Sequence, residues 1–387
     1  MGDYSGIFDR CFSTIQYRVD VRNNGVDYAW LMQPMDRCFY PDYFTLGGMG
    51  RSVIERGLNK IGSHYGGPPF TAFIVMKRLV DLFYSAQPSG ENGRAKAWLL
   101  QRLKRPPKCV VSWCLVEFFL FMEQWMRETD GGGDAKQVQY ETIKEGLNQR
   151  VLGVLNSIDD RYKTFDCFEG WLMASSVANW CDVVVPDMVE KVDIAMVNIP
   201  TFFSNQYRST NTQVVGDYFK QAPRTILYEC DNAGEIILDL MCIQLLIQEG
   251  HAVTIVAKQA PILNDVTARD VQQLILKHAV FSKLNQAMVA GTLKVIAANN
   301  FPMVGKYLPM VTQEYRDAVI ESDVIWMKGQ GNFQTMPLLN YGLFKRPIKY
   351  KKRCIYNFVV KAPIVKYCLD QVLDKPVALG KPCIYLV

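Results

Sequence analysis

Carboxylates and amides gather in two segments in the second half of the chain, and two further segments carry lysines. Asp231-Asn232-Ala233-Gly234-Glu235 and Gln259-Ala260-Pro261-Ile262-Leu263-Asn264-Asp265-Val266-Thr267 supply oxygen donors. The set Asp231, Asn232 and Asp265 suits a hard divalent cation such as Mg²⁺ or Mn²⁺. Lys328-Gly329-Gln330-Gly331-Asn332 and Lys361 add two cations and glycine-rich backbone. Two lysines beside a divalent ion, with such backbone between them, suit a phosphate. Each segment also has a plainer reading. Asp231-Asn232 could cap a helix beginning near Gly234, and Asp265 with Thr267 could be a turn and a cap. Glycine-rich turns follow many strands.

The elements that must position these residues favour the chemical reading. After about Pro223, short apolar runs alternate with helical patterns. Strands are expected at Arg224–Cys230, Ala252–Lys258, Leu293–Ala298, Asp323–Lys328 and Arg353–Val360. Helices are expected at Glu235–Glu249, ending at Gly250, and at Val271–Met288. Alternation of this kind predicts a doubly wound, mainly parallel sheet. All strands of a parallel sheet end on one edge, and ligands bind outside those ends. Asp231, Gln259 to Thr267, Asn299-Asn300, the Lys328 segment and Lys361 each succeed one expected strand. The joint placement at a single edge is what points to a metal–phosphate site.

The first half reads helical. Apolar spacing predicts helices at Phe70–Tyr84, Ala95–Leu103, Val110–Glu128, Gln137–Ile158 and Gly170–Val183. Residues 1–222 are therefore expected to form a mainly helical subdomain, and 223–387 a Rossmann-like α/β domain carrying the site. A chain of 387 residues that is 49% hydrophobic has ample apolar material for such a core. Its 12% aromatic content excludes wholesale disorder. A net charge of +5 is too mild for a dedicated nucleic-acid binder, so no nucleic-acid partner is expected. Lys349-Tyr350-Lys351-Lys352-Arg353 reads as a solvated loop entering the fifth strand. The apolar stretch Cys114 to Met126 carries two Glu and reads as a buried helix, so no membrane partner is expected.

Eleven cysteines at irregular spacing, without a C-x-x-C pair, fit reduced thiols and a cytoplasmic location. Met1-Gly2-Asp3-Tyr4-Ser5 shows no basic region leading into an apolar one. Cys109 and Cys114 lack the spacing of a zinc pair. His64, His251 and His278 are too few and scattered for an imidazole metal site. Cys230 reads as a packing residue beside Asp231.

The segments Asp231 to Glu235, Pro261 to Thr267 and Lys328 to Phe333, in that order, resemble those of the damage-control phosphatase family. Phe358-Val359-Val360-Lys361-Ala362 resembles its C-terminal lysine motif. Ala178-Asn179-Trp180-Cys181-Asp182 is similar to its Gly-Asn-x-x-Asp segment, with Ala in place of Gly. The resemblance spans about Ala178 to Ala362. It implies a helical subdomain on a three-layer α/β/α domain, and hydrolysis of phosphate monoesters that depends on Mn²⁺, Mg²⁺, Co²⁺ or Ni²⁺. The implied substrates are small-molecule phosphate esters, either sugar phosphates or phosphopantetheine and its damaged forms. The implied metal ligands are Asp231, Asn232 and Asp265. The implied substrate contacts are Asn179, Lys328, Gly329, Gln330, Asn332 and Lys361, with Asp231, Asp265 and Lys361 as the catalytic set. Gln330-Gly331 stands where sugar-phosphate members more often have Asp-Leu.

The chemistry is consistent with that assignment. A metal there would act as a Lewis acid on a phosphoryl oxygen and acidify a water that attacks phosphorus. The lysines would balance charge developing on the equatorial oxygens. A nucleophilic Asp231 of the dehalogenase kind lacks its second Asp, because that position is Ala233. Glu235 and Asp239 share a helix face with the site, and a supporting carboxylate or a solvated or capping role are the alternatives. Two other functions compete. A methyltransferase would need a glycine-rich first loop and an acidic end to the second strand, where this chain has only Gly234 and ends in Lys258. An inactive interaction module would not need the intact Asp231, Asn232, Asp265, Lys328 and Lys361.

Overall fold

A computed structural model describes residues 32–34, 133–181, 196–204, 210–299, 305–306, 311–334, 348–350, 352–361, 365–366, 369, 373 and 376–387. The helices expected at 70–84, 95–103 and 110–128 lie outside the described residues, as do His64, Cys109 and Cys114.

The central sheet has six strands: β1 (Thr225–Glu229), β2 (Ala252–Ala257), β3 (Leu293–Ala297), β4 (Val324–Lys328), β5 (Arg353–Val359) and β6 (Pro382–Leu386). Their spatial order is 3-2-1-4-5-6. The first five are parallel, and β6 pairs antiparallel with β5. The fold is therefore a doubly wound, mainly parallel α/β sheet, and the order reverses between β1 and β4. That reversal opens the crevice where such sheets bind ligands. The five expected strands are all present within a residue or two. A separate short antiparallel pair joins Met32–Pro34 to Ile348–Tyr350.

Side-chain alternation along β1 shows how the two faces are covered, because successive residues point to opposite sides. Tyr228 packs with Trp326 of β4 at 4.9 Å between ring centroids. Trp326 in turn meets Phe168 and Phe219. Those residues belong to α2 (Phe168–Ala178) and α3 (Thr210–Gln221), which form the layer over this face together with α4 (Glu235–Gln248). The next residue, Glu229, faces the other way and meets Tyr315 of α7 (Gln313–Glu321). α4 is apolar almost all round, Glu-Ile-Ile-Leu-Asp-Leu-Met-Cys-Ile-Gln-Leu-Leu-Ile-Gln, because it packs against α2 and against α1 (Gly133–Ser157) as well as the sheet. One core cluster runs from Leu147 of α1 through Trp171 and Ile236 to Ile384 of β6, so it crosses the 222/223 boundary without a break.

The helix expected over Val271–Met288 is two helices. α5 (Ala268–Lys277) opens with a capping box in which Thr267 and Asp270 each bond the other's backbone N–H. It stops at His278, which adopts an extended backbone, and a 3₁₀ turn leads into α6 (Ser282–Ala290). The glycine-rich segment after β4 is a short helix, α8 (Gly329–Gln334), rather than an open loop.

Candidate functional site

The site is assembled by backbone pairing beyond the ends of the strands. The loop after β2 turns back upon the segment after β1. Val266 N–H donates to the Asp231 carbonyl at 2.9 Å, and Ala233 N–H to the Asn264 carbonyl at 2.8 Å. Isolated bridges join Asn232 to Asp265 and Lys258 to Thr267. Asp265 is thereby laid beside Asn232, although 33 positions separate them in sequence (265 − 232). Leu263, in the bend before Asp265, is held at a left-handed φ of 53°. Such strain in a leucine persists only where the surrounding contacts impose it.

Asp231, Asn232 and Asp265 are 8%, 3% and 4% exposed. Neither Asp caps the helix that follows it in sequence. The residue at the N-cap of α4 is Gly234, with φ 79° and no side-chain cap, and its N–H donates instead to Asn148 Oδ1 on α1 at 2.7 Å. Thr267, not Asp265, caps α5. The capping alternative for Asp231 on α4 is thereby removed, whereas the segment after β2 does hold the expected turn and cap, with Asp265 N–H donating to the Ile262 carbonyl and Thr267 capping α5.

Asp231 Oδ2 accepts the amide nitrogens of Asn179 at 3.0 Å and Asn232 at 2.8 Å. On its other flank lies Gly329, at φ 72°. A Cβ on Gly329 would stand 1.8 Å from Asp231 Oδ2. The turn from β4 into α8 can lie against this carboxylate only because the residue is glycine. Asp265 Oδ2 sits 3.4 Å from the buried Lys258 ammonium. Lys361, half-buried at the end of β5, donates from Nζ to the Asn179 carbonyl at 2.5 Å, and its N–H donates to Gln330 Oε1 at 2.8 Å. Asp231, Asn232, Asp265, Gly329, Gln330 and Lys361 thus meet around the reversal between β1 and β4.

Three expected substrate contacts have other placements. Lys328 shares the β4 face of Trp326 and points inward under α2 and α4. It is 0% exposed, and its ammonium donates to Ser175 O and Oγ, both at 2.8 Å. Glu235 Oε1 lies 3.2 Å from it and Asp239 Oδ1 3.4 Å. A direct phosphate contact by Lys328 is corrected to an internal charge anchor. Asn179 is also 0% exposed, bonded to Asp231, to Glu235 at 2.8 Å and to Val359 N–H at 3.1 Å. It positions the site from beneath rather than facing a substrate. Asn332 donates its amide to the carbonyls of Cys230 and Lys328, both at 2.8 Å, and so ties the ends of β1 and β4.

Glu235 and Asp239 are both fully buried, which removes the solvated or capping alternative. Burial raises both carboxyls above their usual range, opposed by the Lys328 charge. Burial likewise disfavours the Lys328 charge, but Asp239 and Glu235 outweigh it and hold the ammonium above its ordinary value. Burial drives the Cys230 thiol well upward, as expected of a packing residue rather than a nucleophile. Lys258 and Ser175 are site-supporting residues that sequence reasoning does not single out. Lys258 ends the second strand, a position that could have drawn attention, whereas Ser175 carries no local signal.

The donor set fits a hard divalent ion. Among the described residues no group of three His, Cys, Asp or Glu side chains forms a metal cluster. The third donor here would instead be an amide oxygen. Asn232 donates from Nδ2 to Asp231 and Glu235, which leaves Oδ1 as the end that can meet a cation. A cleft of about 450 Å³, lined by Tyr218, Arg224, Asp323 and Arg353, lies at the opposite edge of the sheet, away from these residues.

A family model described as the damage-control phosphatase ARMT1-like domain matches residues 98–369. The chain belongs to this family. Damage-control phosphatase PH1575 of Pyrococcus horikoshii is 35% identical over 127 residues, 32% of this chain and 39% of that protein. An uncharacterized protein, MJ0202 of Methanocaldococcus jannaschii, is 25% identical over 200 residues, 51% of this chain and 60% of that protein. The chain therefore spans less than two thirds of the length of either curated relative. A crystal structure of the DUF89 family protein PH1575 covers 81% of this chain and 96% of its own, with a TM-score of 0.49 and 21% identity. The ARMT1-like match takes in Asn179, Asp231, Asn232, Asp265, Lys328 and Lys361 together.

Proposed function

We propose that this chain is a phosphatase for phosphate monoesters of small metabolites, sugar phosphates or phosphopantetheine and its damaged forms, working with a divalent metal. Membership of the damage-control phosphatase family supports the phosphatase role. The observation that carries the metal reading is the pairing of Asn232 with Asp265 beside Asp231 at the strand reversal. Asp231, Asn232 and Asp265 would hold the ion, which could be Mn²⁺, Mg²⁺, Co²⁺ or Ni²⁺. When bound, such an ion supplies Lewis acidity toward a phosphoryl oxygen and a more acidic water.

The chain's own residues supply the remainder. Lys361 sets a positive charge at the mouth of the crevice, where it can balance the phosphoryl oxygens as negative charge redistributes. Gln330, bonded to Lys361 N–H, links the turn after β4 to the end of β5 and holds the two at a fixed distance. Gly329 brings that turn against Asp231 and narrows the crevice to exclude loose water. Asn179 and Lys328 keep the Asp231 carboxylate in place from below. We place the reaction in the cytoplasm, since Cys181, Cys230, Cys242, Cys354 and Cys383 are buried thiols rather than disulfides. Among the described residues no helix is long and apolar enough to cross a membrane.

The test is phosphate release from a panel of sugar phosphates and phosphopantetheine. The purified protein is assayed after chelator treatment, with and without each divalent ion added back. Hydrolysis restored by the ion supports the reading. Undiminished hydrolysis in chelator overturns the metal's part in it, and no hydrolysis of any ester with any ion overturns the phosphatase.

A further inference from the structure

Beneath the site, α2 and α4 are joined by two polar rungs. Ser175 Oγ donates to Asp239 Oδ1 at 2.6 Å, and Asn179 Nδ2 donates to Glu235 Oε2 at 2.8 Å. The partners on each helix are four residues apart, so each pair shares a helix face. The Lys328 ammonium lies between the rungs and touches both carboxylates. The rungs are alike in burial and in counter-ion, but only one reaches the site. Glu235 Oε2 takes the amide of Asn179 and also faces the amide of Asn232 at 3.4 Å. The same two nitrogens bond Asp231 Oδ2. Two amides are thus clamped between two carboxylates, one on each side.

An amide has a donor end and an acceptor end, and which end faces a site depends on its partners. With Asp231 and Glu235 both drawing on the nitrogen, Asn232 is held with Oδ1 turned away from them. We propose that Glu235 is a positioning residue that fixes the orientation of Asn232 and, through Asn179, of Asp231, so that their oxygens are presented to a divalent cation. This rests on the metal reading above. Asp239, which shares the ammonium but bonds Ser175 instead, balances charge and does not orient ligands.

Two substitutions separate these roles. Glu235→Asp keeps the charge that Lys328 needs but shortens the side chain, so it withdraws from the amides. Asp239→Asn removes one charge from the same ammonium and leaves the amides untouched. The measurement is Mn²⁺ binding to the chelator-stripped full chain by titration calorimetry, with thermal melting as the check on folding. Orientation predicts that Glu235→Asp weakens Mn²⁺ binding about tenfold or more, the size of one charge-assisted hydrogen bond. Asp239→Asn should weaken it by less than about threefold. Asn179→Ala, which removes the shared donor while leaving Glu235 on Lys328, should track Glu235→Asp and decides the matter if the latter does not fold. Wild-type affinity in Glu235→Asp, or in Asn179→Ala where that variant decides, overturns the positioning role alone. A loss in Asp239→Asn as large as theirs does the same. A wild-type chain that binds no Mn²⁺ overturns both this proposal and the metal reading.

Discussion

Two buried lysines sit near the ends of neighbouring strands, and they are balanced differently. Lys306, on the α7 face, pairs with Glu229 at the end of β1, and the Tyr315 hydroxyl donates to the same carboxylate at 2.7 Å. Lys328, on the α2 face at the end of β4, meets two carboxylates, and one of them continues through Asn179 to Asp231. The first arrangement joins a strand to a helix through the Glu229 carboxylate. The second sets two carboxyl groups against one ammonium and lies directly under the proposed cation ligands. A buried ion pair alone says little about function, since its desolvation offsets much of its attraction. What distinguishes the site is two acidic side chains sharing one lysine, together with hydrogen bonds leading on to Asp231 and Asn232.

The largest expected effect contrasts these two lysines. Lys328→Met leaves two carboxylates buried without their cation and should cost about 3–5 kcal/mol, the usual penalty for breaking a buried pair. Lys306→Met leaves one carboxylate that still accepts from Tyr315, so its cost should be lower. Urea unfolding of both variants gives the comparison. A Lys306 variant as unstable as the Lys328 one would erase the distinction. Phosphate release should fall sharply in the Lys328 variant under conditions where it remains folded, and little in the other.

Gly329→Ala comes next. The added methyl would collide with the Asp231 carboxylate, and displacing a reacting group by about 1 Å can lower turnover a hundredfold. Gly291→Ala is the matched control, because Gly291 has a similar left-handed φ of 79° but nothing within 4 Å of the added carbon. It should lose about 1 kcal/mol of stability and no activity. Equal activity in the two variants would mean that contact with Asp231 is unimportant.

Lys361→Ala should lower kcat/KM about a hundredfold, with kcat falling and KM rising. Lys352→Ala, in the basic run before β5, should change little, because its Nζ donates to the Ile320 carbonyl away from the site. Similar modest losses at both would reduce Lys361 to general attraction of anions.

The smallest effect concerns His251, at the far edge of the sheet. Its Nδ1 accepts from Arg224 N–H at 2.9 Å, and its ring meets Phe219. Burial, reinforced by the Arg224 charge, holds the imidazole below its ordinary value. The unfolded chain therefore takes up this proton more readily than the folded one. The contribution is complete above the unfolded value of about 6.5 and is lost as pH falls through the lower folded value. His251→Gln should make the decline in Tm on acidification shallower, while the pH dependence of phosphate release stays as in the wild type. An unchanged Tm profile would show that this imidazole is not a source of acid sensitivity.

Much of this architecture is legible in local patterns. Short apolar runs mark β1 to β5, and the residues just beyond each run bring Asp231, Asp265 and Lys361 to one edge. The strand β6 escapes that pattern because Pro382-Cys-Ile-Tyr-Leu386 is brief and isolated from the alternation. The single helix expected over Val271–Met288 breaks at His278, since periodicity does not register a one-residue change of backbone. The roles of Lys328 and Asn179 differ from expectation for another reason. A strand-end lysine on one face reaches solvent and on the other reaches the interior, and residue type cannot tell which. Only the packing of α2 over β4 turns Lys328 toward Ser175. The Asn232–Asp265 pairing is likewise a product of loop geometry, invisible until the chain is folded.

The central claim is that Asp231 is a charged ligand at the strand reversal rather than a structural cap. Asp231→Asn keeps the shape of the side chain and removes its charge. Its phosphate release should be measured with saturating Mn²⁺ on the best ester for the wild type, alongside its melting temperature. The account predicts a folded protein melting close to the wild type, with turnover reduced by about a hundredfold or more, as for loss of one major charge at a reacting centre. A folded Asp231→Asn protein hydrolysing the ester at the wild-type rate would contradict it.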